Sequence, residues 1–248
     1  MAIVFGFHAV LARVRQAPAS VNEVLFDTAR RDKRMQQAIE KCQQAGVKCT
    51  PADKNRLEEA AGHTRHQGLL ALVQAIEQAT DLNTLIAQKG ASLLLLVLDG
   101  ITDPHNFGAC LRSADAAGVH GVIIPKDKSV GVTPVVSKVA CGAAETLPVF
   151  SVTNLARTLR DIQEEGVWCI GTAGEATENL YALNLRAGPT AWVVGAEGDG
   201  LRRLTRETCD QLVHIPMVGA VESLNVSVAA SVCLFETLRQ RQFLNVSS

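Results

Sequence analysis

Leu93–Leu98 is a run of six residues without a polar side chain, and it limits what this chain can fold into more than any other stretch. A strand with one solvated face alternates apolar and polar residues. A run without alternation is buried on both sides, as in the middle of a parallel sheet covered by helices. The run stops at Asp99 and Gly100, and the turn Thr102-Asp103-Pro104-His105-Asn106 leads into a helical pattern from Phe107. That turn falls at the carboxyl end of the predicted strand, where ligands bind in open α/β sheets. It carries a carboxylate, an imidazole and an amide, and the helix after it adds Arg112 and Asp115 among small residues. A helix N-cap accounts for Asp103 and Asn106 equally well, so this stretch alone leaves both readings open.

Downstream of Ala91 the pattern alternates, which predicts an α/β domain over residues 91–248 with a mostly parallel sheet covered on both faces. Strands are predicted at Leu93–Leu98, Gly121–Pro125, Thr146–Phe150, Trp168–Gly171, Ala191–Val194 and Val213–Pro216. Helices are predicted at Phe107–Ala117, Pro134–Cys141, Leu155–Glu165, Thr205–Cys209 and Val226–Gln242. Residues 1–75 read as a smaller α/β unit. Its helices are Phe7–Gln16, Asp32–Ala45 and Asp53–Ala61, and its strands are Val21–Asp27, Val47–Thr50 and Leu69–Val73. Residues 76–90 read as a linker with a short helix over Leu82–Gln88.

The net charge is −1, but it is unevenly spread. Residues 1–75 hold eleven Lys/Arg against seven Asp/Glu, which leaves thirteen against eighteen in the rest. Such asymmetry fits a basic binding module joined to a different kind of domain. Arg30, Arg31, Lys33 and Arg34 cluster at one strand-to-helix junction, with Arg65 and His66 before the last strand. They could grip phosphates or form a solvated face. Seven scattered cysteines without a C-x-x-C pattern fit reduced thiols in a cytoplasm, and His63 and His66 lack partners at metal spacing. No apolar run approaches a membrane span.

Two further stretches carry chemistry. Gly195-Ala196-Glu197-Gly198-Asp199-Gly200 follows the predicted strand Ala191–Val194 and leads to a helix. It is not the dinucleotide fingerprint, because Glu197 stands where the second glycine must let a pyrophosphate approach; a carboxylate there suits a neutral or cationic ligand. Ile215-Pro216-Met217, then Glu222-Ser223-Leu224-Asn225-Val226-Ser227, reads as strand, loop and a helix start rich in capping groups.

Taken together, D-P-H-N-F-G-A-C-L-R-S-A-D-A-A-G, V-G-A-E-G-D-G-L and I-P-M-x7-L-N-V-S-V-A resemble the three motifs of the SpoU-type branch of the SPOUT RNA methyltransferases. The N-terminal unit, opening G-F-H-A-V and closing H-Q-G-L-L-A, looks like the substrate-binding domain of the same enzymes. The resemblance implies S-adenosylmethionine as methyl donor and no metal. It implies the ribose 2′-hydroxyl of a guanosine in 23S ribosomal RNA as acceptor, a homodimer in the cytoplasm, and a C-terminal trefoil knot that patterning could never suggest. Carried over by position, the catalytic residues are Asn106, Arg112, Glu197, Ser223 and Asn225. The cofactor-binding residues are Thr172, Ala173, Gly174, Gly195, Ile215, Met217 and Leu224. A transfer-RNA 2′-O-methyltransferase of the same branch, or an inactive RNA-binding assembly factor, are the competing readings.

Overall fold

The computed structural model describes residues 2–62, 66–74, 81–221 and 223–243, so His63, Arg65 and Glu222 lie outside the described residues, as does 76–80 of the expected linker. The chain forms two compact units, residues 1–78 and 79–248.

The first unit runs β1 (Ala2–Phe5), α1 (Phe7–Gln16), β2 (Val21–Asp27), α2 (Lys33–Gln44), β3 (Cys49–Ala52), α3 (Lys54–Ala61) and β4 (Leu69–Val73). Its sheet has the order β1-β4-β2-β3, with only β2 and β3 parallel. Phe7, Val10 and Val14 of α1 join Met35, Ala38 and Cys42 of α2 in one core, while Leu25, Leu57 and Leu70 pack in a second cluster. Asp32 and Asp53 cap α2 and α3 by accepting the amides of Met35 and Arg56. β1 was not expected. Its four residues end at Gly6, whose φ of 87° turns the chain directly into α1.

The second unit runs α4 (Leu82–Lys89), β5 (Leu94–Asp99), α5 (Pro104–Ala116), β6 (Gly121–Pro125), α6 (Pro134–Ala140), α7 (Ala143–Thr146), β7 (Val149–Val152), α8 (Leu155–Glu164), β8 (Trp168–Thr172), β9 (Glu178–Asn179), β10 (Thr190–Gly195), α9 (Arg203–Thr208), β11 (Gln211–His214) and α10 (Val226–Phe243). The seven strands form one sheet of order β7-β6-β5-β10-β8-β11-β9, parallel at every pairing. β5 lies inside it and is buried at all six positions. Leu94, Leu96 and Leu98 face a core with Phe107 and Leu111 of α5 and Leu234 of α10; Leu95 and Val97 face the opposite core with Leu85 of α4 and Leu159 of α8. The absence of alternation in the sequence thus corresponds to a strand with a core on each side.

The strands expected at Val47–Thr50 and Val213–Pro216 are displaced by two residues, to Cys49–Ala52 and Gln211–His214, and two further expectations shift more. Leu85 and Ile86 of α4 belong to the second unit's core, so the helix expected within a linker is part of that unit. The strand expected from Thr146 begins at Val149. Thr146 ends the short helix α7, Leu147 donates back to Ala143, and Pro148 has no amide to give the ladder. α5 packs unusually close to α6. A Cβ on Gly108 would sit 2.7 Å from the Cβ of Val139, which explains the small residues of this helix.

All seven cysteines are free. Burial raises the thiols of Cys110 and Cys233 to about 12, so both are neutral and inert at physiological pH. No described helix is long and apolar enough to cross a membrane.

Candidate active site

The carboxyl ends of β8, β10 and β11 open onto a cleft of ≈ 510 Å³. Thr172, Ala173, Gly174, Gly195, Ile215, Met217 and Leu224 all line it, so the seven residues expected to bind cofactor come together there with Glu197 and Ser223. Its wall is apolar at Val194, Val213, Ile215 and Leu224, and carries carboxylates at Glu175, Glu197 and Asp199. Two local devices shape it. The turn after β10 closes when Gly200 donates its amide to Ala196 at 2.9 Å, and a Cβ on Gly195 would lie 2.1 Å from the carbonyl carbon of Gly200, so only glycine fits. The loop leaving β8 is tied to β11 by the Ala173 amide, which donates to Val213 at 2.9 Å. On the rim, Arg206 of α9 pairs with Glu175.

Asn225 connects the three motifs. Its Oδ1 accepts from the Ser227 amide at 2.9 Å and the Ser227 hydroxyl at 2.7 Å, which caps the start of α10. An oxygen pinned by a backbone N–H fixes which way the amide points. The Nδ2 group then donates to Asn106 Oδ1 at 2.9 Å and to Glu197 Oε2 at 3.2 Å. Asn106 is itself placed by Asp103, whose carboxylate accepts the amides of His105 and Asn106 at the head of α5. The capping reading of this turn holds, and it does not exclude the functional one, because the cap positions the Asn106 amide. Glu197, a carboxylate suited to fix either Asn106 or Arg112, is joined to Asn106 through Asn225, which binds both.

Arg112 is the predicted residue set apart from this group. Six positions after Asn106 on α5, it is about 120° around the helix from it. It is exposed and lines neither of the clefts described here.

A second cleft, of ≈ 850 Å³, adjoins the first and is lined by Asp99, Asp103, Asn106, Lys128, Glu197 and Arg202 among others. Sequence reasoning did not single out Lys128 or Arg202. Asp99 is 1% exposed and accepts the Arg202 backbone amide at 2.9 Å and Nε at 2.5 Å. The signal was available: a carboxylate closing a wholly apolar strand needs a buried partner. That partner lies 103 residues away, where no local pattern marks it. Lys128 sits in the left-handed region at φ 61°, which has no sequence signature either. Among the described residues, no group of three or more His, Cys, Asp or Glu is placed to hold a metal ion.

In the first unit, Arg30 and Arg34 both lie over the Phe7 ring, at 4.8 and 4.4 Å from its centroid. Arg34 Nη2 is 3.2 Å from His8 Nε2, and Arg30 pairs with Asp32. His66, expected on the same basic rim, is instead buried at 4% exposure with Nδ1 accepting the Gly68 amide, so it is a structural residue of the turn into β4.

The SpoU rRNA Methylase family model matches residues 93–235, and a model for RNA 2'-O ribose methyltransferase substrate binding matches residues 3–79. The 23S rRNA (guanosine-2'-O-)-methyltransferase RlmB of Ralstonia nicotianae is 58% identical over 239 residues, 96% of each chain. A solved RNA 2'-O ribose methyltransferase superposes with TM-score 0.66 at 29% identity, over 96% of this chain and 88% of that one. The SpoU methyltransferase AviRb from Streptomyces viridochromogenes, solved with AdoMet, shares the fold with TM-score 0.66 at 24% identity, covering 96% and 90%.

Proposed function

Because the chain belongs to the SpoU rRNA methylase family, we propose that it transfers a methyl group from S-adenosylmethionine to the ribose 2′-hydroxyl of a guanosine in 23S ribosomal RNA. The observation that carries the chemistry is the single amide of Asn225 joining Asn106 and Glu197 where the two clefts meet. The identity of the acceptor follows the relatives, which match along nearly the whole chain.

The first cleft suits this cofactor by its donor set. An apolar wall takes the adenosine, the hydroxyls of Thr172 and Ser223 and the loop backbone at Ala173, Gly174, Ile215, Met217 and Leu224 take its polar edges, and carboxylates face a ligand with a net positive charge. When bound, S-adenosylmethionine supplies an electrophilic methyl group on a sulfonium. The protein's part is to fix the acceptor in line and to bear the charge that develops on its oxygen. Asn106 spends its Oδ1 on Asn225, which leaves its N–H groups to donate to the acceptor ribose or its phosphate. Asn225 orients Asn106 and Glu197, and Ser223 orients the loop. A guanidinium stays charged in proteins, so Arg112 does not act as the base. Since it lines neither cleft of its own chain, its place is on the RNA backbone flanking the target, where it binds a phosphate, while the ribose proton leaves to a phosphate oxygen or water.

The first unit, with its excess of basic residues, serves as the RNA-binding module, and the enzyme works in the cytoplasm as a homodimer. Val228 and Phe235, two turns apart on α10 and 47% and 46% exposed, support a dimer face on that helix. Strand order supports the trefoil knot. β8 lies between β10 and β11, so the chain leaving β10 crosses β8 before α10 returns to pack on β10 and α5.

Purified protein incubated with unmodified large-subunit RNA and labelled cofactor should yield 2′-O-methylguanosine, with no loss of activity on chelation. Label on a base, or activity abolished by a chelator, would contradict the assignment. Arg112→Ala should lower turnover by about 10²–10³ while leaving cofactor affinity intact, and Arg112→Lys should recover little because it lacks the planar fork. A rate-controlling ionisation that moves toward lysine's range in the Lys variant would make arginine the base.

A further inference from the structure

Of the second cleft, the assignment above uses only Asn106 and Glu197, and the remainder of its wall differs from the first. Glu197, Asp199 and Val226 line both, so ligands in the two clefts face one another across that seam. The second cleft brings cations, Lys128, Arg202 and Arg203, together with the carboxylates of Asp103 and Asp199. This pairing of charges matches one nucleotide better than any other: phosphate oxygens only accept hydrogen bonds, and the N1–H and N2–H₂ edge of guanine offers two adjacent donors to a carboxylate.

The side chains are not equally available. Both oxygens of Asp103 already accept amides at the head of α5. Arg203 extends along α9 toward Glu207 at 3.4 Å, an exposed pair of little energetic weight. Arg202 is different: buried Asp99 grips its Nε and Nη2 at 2.5 Å, while the side chain remains 44% exposed on the cleft wall. A guanidinium fixed in this way needs little ordering when it meets a ligand. Lys128 is exposed on the loop after β6, and Asp199 is exposed on the turn whose closure Gly195 permits.

We propose that this second cleft is the acceptor-nucleotide site, in which Lys128 and Arg202 hold a phosphate next to the target and the Asp199 carboxylate reads guanine through N1–H and N2–H₂. The inference rests on the methyltransferase reading and adds the basis of its base selectivity. Asp199 is a specificity residue here, and Asp99 acts only by positioning Arg202.

The test uses the full-length protein and short RNAs that carry guanosine, inosine or 2-aminopurine at the methylated position, once that position is mapped. Inosine lacks the 2-amino group and 2-aminopurine lacks N1–H, so each should lower kcat/KM roughly tenfold with the wild-type enzyme. Asp199→Asn should lower kcat/KM on the guanosine RNA by a similar factor and bring the three RNAs close together, a loss of base preference that weaker cofactor binding would not produce. Lys128→Gln should raise KM severalfold at constant kcat and reduce the slope of log affinity against log salt by about one. The proposal is overturned by an Asp199→Asn enzyme that keeps the wild-type preference for guanosine, or by a Lys128→Gln enzyme with unchanged KM and salt slope. A wild-type enzyme that methylates none of these RNAs would overturn the methyltransferase reading itself, which is a different result.

Discussion

The two ends of α10 are held in contrasting ways. At its start, Asn225 reaches across to Asn106 and Glu197 through one amide group, with Ser227 alone fixing the orientation. At its end, Arg241 donates to the backbone carbonyls of Ser92, Leu93, Leu185 and Gly188 and to the Thr190 hydroxyl, which binds the helix to the entry of β5 and β10. Next to it, Gln240 donates to Leu183 and accepts from the Leu185 amide, and one turn back Thr237 accepts from the indole of Trp192 at 2.8 Å. The bonds that anchor the helix are therefore concentrated at the end remote from the clefts. The end beside the clefts carries few bonds, each between polar groups that also have the chemistry to bind a substrate.

If that division is real, changes at the two ends should separate rate from stability. The largest effect should come from Asn225→Ala, which releases both Asn106 and Glu197: turnover should fall by about 10²-fold, as for a misplaced catalytic group, while stability falls only by the ~1 kcal/mol of a lost helix cap. A melting temperature that falls in proportion to the rate would erase the distinction. Next, Arg241→Ala leaves several carbonyls without their charged donor and should cost about 3 kcal/mol of stability in denaturant titration, with turnover near normal at temperatures where the protein stays folded. Thr237→Val strands the Trp192 indole and should cost about 1–2 kcal/mol, again without a rate effect.

The smallest effect depends on pH. His120 lies near the anchored end, where its Nδ1 accepts the Leu94 amide; burial first, and then the charges of Lys89 and Arg241, lower its pKa to about 4. The folded state binds this proton less readily than the unfolded chain, so the contribution is present above about pH 6.5 and is lost as pH falls toward 4. After allowance for solvent screening it amounts to on the order of 1 kcal/mol. Stability curves at pH 7 and pH 4.5 should converge in His120→Gln, and the Arg241→Ala variant should show a weaker pH dependence than wild type. An unchanged pH slope in His120→Gln would assign the effect to other groups.

How much of this was legible depended on whether the physics was local. Phe7–Gln16, Val21–Asp27, Leu69–Val73 and Gly121–Pro125 have the bounds that periodicity predicts, because each is a strong pattern ended by glycine, proline or polar residues. β1 was missed because four apolar residues next to a glycine give no period to count. At β7 the turn residues Gly142 and Pro148 had more influence than the apolar run they flank. Motif resemblance pointed to seven cofactor-binding residues, and these seven line one cleft. The Asn225 contacts span 119 and 28 residues, and the Asp99–Arg202 pair spans 103. Such pairings come from the sheet order, which no window of sequence contains.

The contact between Asn106 and Asn225 also governs when the enzyme can begin to work. The asparagine that completes it lies 119 residues after Asn106, and its orientation depends on a helix cap that exists only when α10 has formed. β5 and α5 can collapse much earlier, since their contacts are close in sequence, whereas a contact that closes a loop of this length forms late. During folding the chain should therefore pass through a stage with most of its secondary structure and without the Asn106–Asn225 contact. In refolding experiments, activity should return after the far-ultraviolet signal, and the delay measures how long the last helix takes to dock.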